Sequence, residues 1–192
     1  MTVTVLDDKT ALVLIDLQAG TLAAPTVPYP PGDVVGNAAR LADAFREAGA
    51  PVVLVRMANA ADGADAVRGR SEAARRAGGS SRPHDLGPIA EALAGHPEDV
   101  AVTKRNWGAF YGTDLDLQLR RRGVTQIVLG GVATSLGVES TARAAHEHGY
   151  NLAFAVDAMT DINADAHAHS LSWVFPLIGE LGTTDEILKL LT

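Results

Sequence analysis

The chain has 192 residues, 47 % of them hydrophobic and none of them cysteine, with a formal net charge of −7. This length suits one domain over residues 1–192, and the composition excludes a disordered chain. Disulfides and thiolate metal sites are excluded, and the acidic balance disfavours nucleic acid and anionic membranes as partners.

From the N-terminus, Met1 to Lys9 is polar and carries two aspartates, without the basic and apolar regions of a secretory leader. No apolar run reaches the roughly 18 residues needed to span a bilayer, so a cytoplasmic location is the default expectation. Ala11-Leu12-Val13-Leu14-Ile15 is apolar without alternation, as in a strand covered on both faces. Val34, Ala38, Leu41, Ala42 and Phe45 form one helical stripe that stops at Gly49. Strands follow at Val52–Val55 and Val100–Val102. A helix capped by Thr113 runs through Leu115 and Leu119 to Gly123, then a strand at Ile127–Leu129. The next helix opens near Thr134, turns Val138, Thr141, Ala142 and Ala145 inward and ends at Gly149. Leu152–Val156 is a strand, and a helix from about Ala164 to Val174 is disturbed by Pro176. Thr183-Thr184-Asp185-Glu186 has capping-box spacing.

This alternation predicts an α/β fold: a three-layer, doubly wound, six-stranded, mainly parallel sheet with helices on both faces. Two stretches interrupt it. Ala19 to Gly32 holds Pro25, Pro28, Pro30 and Pro31 and reads as a stiff loop. Met57 to Pro83 carries Arg68, Arg70, Arg75, Arg76 and Arg82, either a solvated surface or an anion-binding patch, with room for a helix.

Ligands of open α/β sheets sit beyond the carboxyl ends of the strands, near the reversal of strand order. Asp16, Lys104 and the turn after Leu129 all fall at such ends. Asp16 follows five apolar residues, so burial would raise its pKa while a nearby Lys104 would lower it. A structural salt bridge between two loops is the alternative. Gly130-Gly131 permits a sharp turn, and a helix opening near Thr134 would aim free N–H groups at a carboxylate or developing oxyanion.

Ile15-Asp16-Leu17-Gln18, Thr103-Lys104-Arg105 with Ala109-Phe110-Tyr111-Gly112-Thr113-Asp114-Leu115, Gly131-Val132-Ala133-Thr134 with Val138 and Thr141-Ala142, and Val156-Asp157-Ala158 occur in that order. The ordered set resembles the isochorismatase-like hydrolases, most of which use an Asp–Lys–Cys triad. The resemblance runs from Leu12 to His169. It implies a hydrolase with Asp16 and Lys104 as catalytic residues. Gln18, Val132, Ala133, Thr134, Gly137 and Val138 would line the site of a small-molecule substrate; Trp107 and Phe110, just beyond Lys104, either wall that pocket or pack against the sheet or a partner subunit. It also implies a cis peptide at Val132–Ala133 and assembly as a homodimer or larger homo-oligomer; no cofactor is expected.

The departure is Gly137, which stands where the thiol is expected and cannot attack a substrate. Nicotinamidase-type relatives carry an Asp-x-His metal motif beyond the second strand; here that stretch reads Arg56-Met57-Ala58-Asn59, so no metal is expected. Glycine at the thiol position resembles the true isochorismatase branch, which cleaves an enol ether to a diol and pyruvate with aspartate as acid and water as nucleophile. The rivals are a non-catalytic ligand-binding or scaffold protein, and an amidase using water or Ser135.

Other polar residues read more simply. Thr134 and Ser135 suit capping. His146 and His148, like His167 and His169, are two apart and share no helical face. His169 resembles a family position and otherwise reads as a half-buried, hydrogen-bonded histidine.

Overall fold

The computed structural model describes residues 2–67, 69–76 and 84–191. Six strands form one parallel sheet: β1 (Thr10–Ile15), β2 (Val52–Met57), β3 (Val100–Lys104), β4 (Gln126–Val132), β5 (Asn151–Thr160) and β6 (Glu180–Gly182), in the order β3-β2-β1-β4-β5-β6. The chain winds one way from β1 to β3 and the other way from β4 to β6. The switch point therefore lies between the tips of β1 and β4, the place such sheets reserve for ligands.

The helices are α1 (Ala19–Leu22), α2 (Pro31–Glu47), α3 (Glu72–Arg76), α4 (Leu115–Arg121), α5 (Glu139–Glu147), α6 (Ala164–His169), α7 (Phe175–Ile178) and α8 (Thr184–Leu188). Side chains alternate along the central strands, so both faces of the sheet are buried. Leu12, Leu14, Val52 and Val128 pack with the α2 stripe Val34, Ala38, Leu41, Ala42 and Phe45. Val13, Ile15, Val55, Val102 and Leu129 pack with Leu115, Leu119, Val138 and Ala142 on the other face.

Four elements differ from their sequence signatures, the first being the stretch read as a stiff loop, which opens with α1 and ends in the first turn of α2. The sixth strand, β6, is a three-residue edge of Glu180, Leu181 and Gly182, too short and mixed to show a period. The helix after β4 opens with a π-helical turn over Thr134–Val138 before α5 begins. The helix expected to fade before Pro176 instead passes from α6 through a second π turn, Ser170–Val174, into α7. Proline has no N–H for the helical ladder, and the wide turn lets the helix restart with Pro176 in its first turn, where none is needed.

In the arginine-rich stretch, Arg70, Arg75 and Arg76 are exposed, with Arg75 paired to Glu72; Arg68 and Arg82 lie outside the described residues. Among the described residues no helix is long and apolar enough to cross a membrane.

The predicted capping box is present: Thr183 Oγ1 accepts from Glu186 N–H at 3.3 Å, and Glu186 Oε2 accepts from Thr183 N–H at 2.8 Å. Thr183→Ala leaves the first turn of α8 without this acceptor. It is expected to cost about 1 kcal/mol, read as a fall in Tm of about 2–4 °C by thermal unfolding.

Candidate active site

Asp16 is the residue at which β1 stops being a strand. Its φ is 51°, the only positive value outside glycine among the described residues. The backbone is pinned there from three sides. Its N–H donates to Val55 O at 2.9 Å, and its carbonyl accepts from Gln18 N–H at 2.8 Å and from the Thr21 hydroxyl. This conformation is costly for a residue with a Cβ and persists only where the surroundings enforce it.

The side chain so placed meets Lys104 from the tip of β3, two strands away. Lys104 Nζ is 2.6 Å from Asp16 Oδ2, and the two side chains are 2 % and 10 % exposed. The ammonium also donates to Asn106 O at 3.1 Å. Asp16 Oδ1 is buried with no hydrogen-bond partner. Burial, opposed by the charge and hydrogen bond of Lys104, pushes the Asp16 carboxyl up to about 6. The pair thus combines a half-satisfied carboxylate with a pKa close to neutrality.

The third component comes from β4. Gly131 lies against the Ile15 backbone with φ 127°, and a Cβ there would strike the Ile15 main chain. Only glycine allows the tips of β1 and β4 to close in this way. The Val132–Ala133 peptide is cis, as the family resemblance implies. The π turn then brings Gly137 to the ion pair. A Cβ built on Gly137 would lie 3.4 Å from Asp16 Oδ2, 3.5 Å from Trp107 O and 3.0 Å from Ile15 Cγ2.

The mouth of this helix is less open than the sequence predicts. Ser135 N–H donates at 2.7 Å to Oδ2 of Asp161, a buried carboxylate whose Oδ1 accepts from Ile162 and Asn163 N–H. The Ala133 carbonyl accepts from Leu136 N–H at 3.1 Å and Val138 N–H at 3.2 Å. The protein therefore supplies its own anion at the first free N–H, and that donor is not available to a substrate carboxylate.

The structure gathers Asp16, Lys104, Gly137 and the Trp107 carbonyl; the other predicted side chains lie elsewhere. Gln18 is fully buried and clamps β2 to the following loop: its Oε1 accepts from Met57 N–H at 2.7 Å, and its Nε2 donates to Gly87 O at 2.7 Å. The Thr134 hydroxyl bonds to Thr160 O at 3.1 Å and faces His167 Nδ1 at 2.9 Å. Val132 and Val138 are core residues, Ala133 is half-buried, and Phe110 packs against the rings of His148 and Tyr150. The Trp107 side chain is 58 % exposed.

Sequence reasoning misses Asp161 and His167, the two titratable groups behind the turn. His169 is exposed, whereas His167 is buried, and its desolvation outweighs the nearby Asp161 and holds its pKa down. His167, Ser170 and Val174 are the buried residues of α6 and of the π turn after it and share one stripe, a spacing visible in the sequence. Among the described residues no three His, Asp or Glu side chains are grouped to hold a metal.

The Isochorismatase domain model matches residues 10–186. YwoC of Bacillus subtilis strain 168, an isochorismatase family protein, is 44 % identical over 181 residues, covering 94 % of this chain and 93 % of the relative. An isochorismatase family structure from Burkholderia thailandensis superposes with a TM-score of 0.91 at 43 % identity, over 99 % of each chain. A cysteine hydrolase from Pseudomonas syringae pv. phaseolicola 1448A gives 0.79 at 27 % identity, over 95 % of this chain and 92 % of the other. Domain match, near-full-length identity and superposition agree on one assignment: the chain belongs to the isochorismatase family.

Proposed function

We propose that the protein is a hydrolase of a small polar enol ether, working by acid–base catalysis at Asp16 with water as nucleophile and without a thiol. One observation carries the proposal. Asp16 has an unpartnered, buried Oδ1, its Oδ2 is held by Lys104 at 2.6 Å, and its carboxyl is pushed up to about 6. A buried pair retained only for structure has no need of a bare oxygen.

Enol-ether hydrolysis requires a proton delivered to carbon. Protonated Asp16 gives that proton to the terminal carbon of the enol double bond, and positive charge develops on the ether carbon. Water adds at that carbon and loses a proton, and the resulting hemiketal breaks its C–O bond to release pyruvate and an alcohol. Lys104 stabilises the aspartate left behind. A substrate carboxylate near Lys104 would draw the ammonium from Asp16, and excluded water would raise the acid's pKa further, so substrate itself favours the protonated form. Gly137, which by resemblance stands at the thiol position of the triad relatives, puts no side chain beside Asp16. The turn over Val132 to Val138 is proposed to bind a substrate carboxylate or oxyanion only through N–H groups other than those of Ser135, Leu136 and Val138, which the protein already uses.

The test is a substrate panel of isochorismate beside simple amides, with pyruvate and ammonia as separate readouts. Pyruvate release is expected. Its kcat/KM should decline as pH rises through about 6, because the working form is the protonated acid. Ammonia release from amides alone, or a rate rising through the same range, would refute the assignment. The same proposal includes one domain over residues 1–192, a cytoplasmic enzyme, and a homodimer or larger homo-oligomer, the last checked by sedimentation.

A further inference from the structure

The π turn beside Asp16 is anchored at both ends by side chains outside the site. At its far end the Gly137 carbonyl accepts from the Thr141 hydroxyl at 2.7 Å, and Thr141 Oγ1 accepts in turn from Ala109 N–H at 3.1 Å. At its start Ser135 N–H is held by Asp161, and the buried Thr134 hydroxyl lies between Thr160 O and His167 Nδ1. Asp161 and His167 both follow β5, so one stretch of chain grips the first two residues of the turn.

Thr134 carries one hydroxyl proton and has two polar neighbours. Thr160 O can only accept, and the hydroxyl donates to it at 3.1 Å. The hydroxyl oxygen, 2.9 Å from the ring, then requires a proton on His167 Nδ1. The network assigns the Nδ1–H tautomer, and a directed relay runs from the imidazole through Thr134 to the end of β5. The ring is itself fixed. It is 4 % exposed and stands at 81° to the Tyr29 ring, and Tyr29 O accepts from the Thr160 hydroxyl at 2.8 Å. The charge acting on it is that of Asp161, whose oxygens are taken by the Ser135, Ile162 and Asn163 N–H groups.

A histidine buried only to fill space is a poor choice, because leucine has a similar volume and no ring nitrogens to desolvate. What the imidazole supplies and leucine cannot is a directed N–H. That direction matters three residues beyond Thr134, where a Cβ on Gly137 would lie 3.4 Å from Asp16 Oδ2.

We infer that His167 is a positioning residue: through Thr134 it sets how closely the Gly137 turn is seated on Asp16, and with that how far water is kept from the acid. The inference rests on the proposed reaction, in which Asp16 gives up a proton beside Gly137, and it gives His167 no contact with substrate.

The experiment compares His167→Leu, which keeps the bulk and loses the donor, with His167→Asn, whose amide N–H takes the place of Nδ1–H. Carboxyl carbon NMR of Asp16 is read in the ligand-free protein. In His167→Leu the titration midpoint is expected to move from about 6 toward the ordinary 3.8, because a loosened turn lets water reach the carboxyl. In His167→Asn it is expected to return to about 6. Pyruvate release from isochorismate should follow the same order: kcat about 10–100-fold lower in His167→Leu with KM little changed, and largely restored in His167→Asn.

Thr134→Val cuts the same hydrogen bond from the other side and decides the matter where His167→Leu does not fold. It should reproduce the shift, and the double variant should add nothing further. An Asp16 midpoint that stays at about 6 in the folded variants, no recovery in His167→Asn, or additive effects would overturn the inference. The NMR reading needs no substrate, so a wild type that releases no pyruvate would sink the hydrolase proposal alone. Normal turnover in folded His167→Leu would sink His167 and leave the hydrolase standing.

Discussion

Asp16→Asn is expected to lower turnover of an active substrate by about 10²–10⁴-fold, the range associated with a positioned general acid. Asparagine keeps the size and polarity of the side chain but has no proton at Oδ1 to give. If Asp16 served only to anchor Lys104, the amide oxygen could still accept from the ammonium and much of the activity would survive. Single-turnover measurement of pyruvate release separates these outcomes, and activity within tenfold of wild type would remove Asp16 from the mechanism. The substitution also leaves Lys104, 2 % exposed, without its counter-charge. Activity must therefore be compared on protein shown by circular dichroism to be folded.

Lys104→Met is expected to produce the largest loss of stability, about 3–5 kcal/mol near neutral pH, because it strands a buried carboxylate. For a chain of this length that corresponds to a Tm lower by roughly 10 °C. The pH dependence has a definite sign. Burial already raises the folded-state Asp16 pKa above its ordinary value of 3.8, while Lys104 pulls it down toward about 6. Without the lysine the folded pKa climbs further. The folded state then binds a proton that the unfolded state has released, so stability is retained below about 4 and lost as pH rises through the raised folded pKa. Wild type should show the same trend over a narrower window, between about 4 and 6. Carboxyl carbon NMR of Asp16 in both proteins reads the pKa directly, and a shift to lower pH in Lys104→Met would contradict the electrostatic account.

Much of this arrangement is legible in the chain because the buried strands announce themselves. Runs such as Ala11–Ile15 are apolar at every position, and a polar residue that ends such a run must lie at a strand tip. Asp16 is found that way, Lys104 ends the half-exposed edge strand β3 directly after Thr103, and the glycines after Leu129 mark where β4 turns. Tertiary partners leave no such trace. Asp161 caps the π turn from 26 residues downstream of Ser135, and the Gln18 side chain is spent on the Met57 and Gly87 backbone. β6 is too short to have a period, and its place is set by pairing with β5. The π turns depend on how the chain enters the helix and on the missing N–H of Pro176, which local propensity marks as a break.

The crowding of Gly137 by Ile15 bears on how this protein can evolve. A Cβ at position 137 would stand 3.0 Å from Ile15 Cγ2, and Ile15 is fully enclosed, with nowhere to retreat. Overfilled interiors typically lose about 1–3 kcal/mol. Cysteine at 137 alone would thus weaken the fold before any sulfur chemistry could compensate, and a trimmed residue at 15 would have to arrive first. Placing a side chain at 137 therefore takes two coupled changes, and the first of them, at Ile15, brings no chemistry by itself.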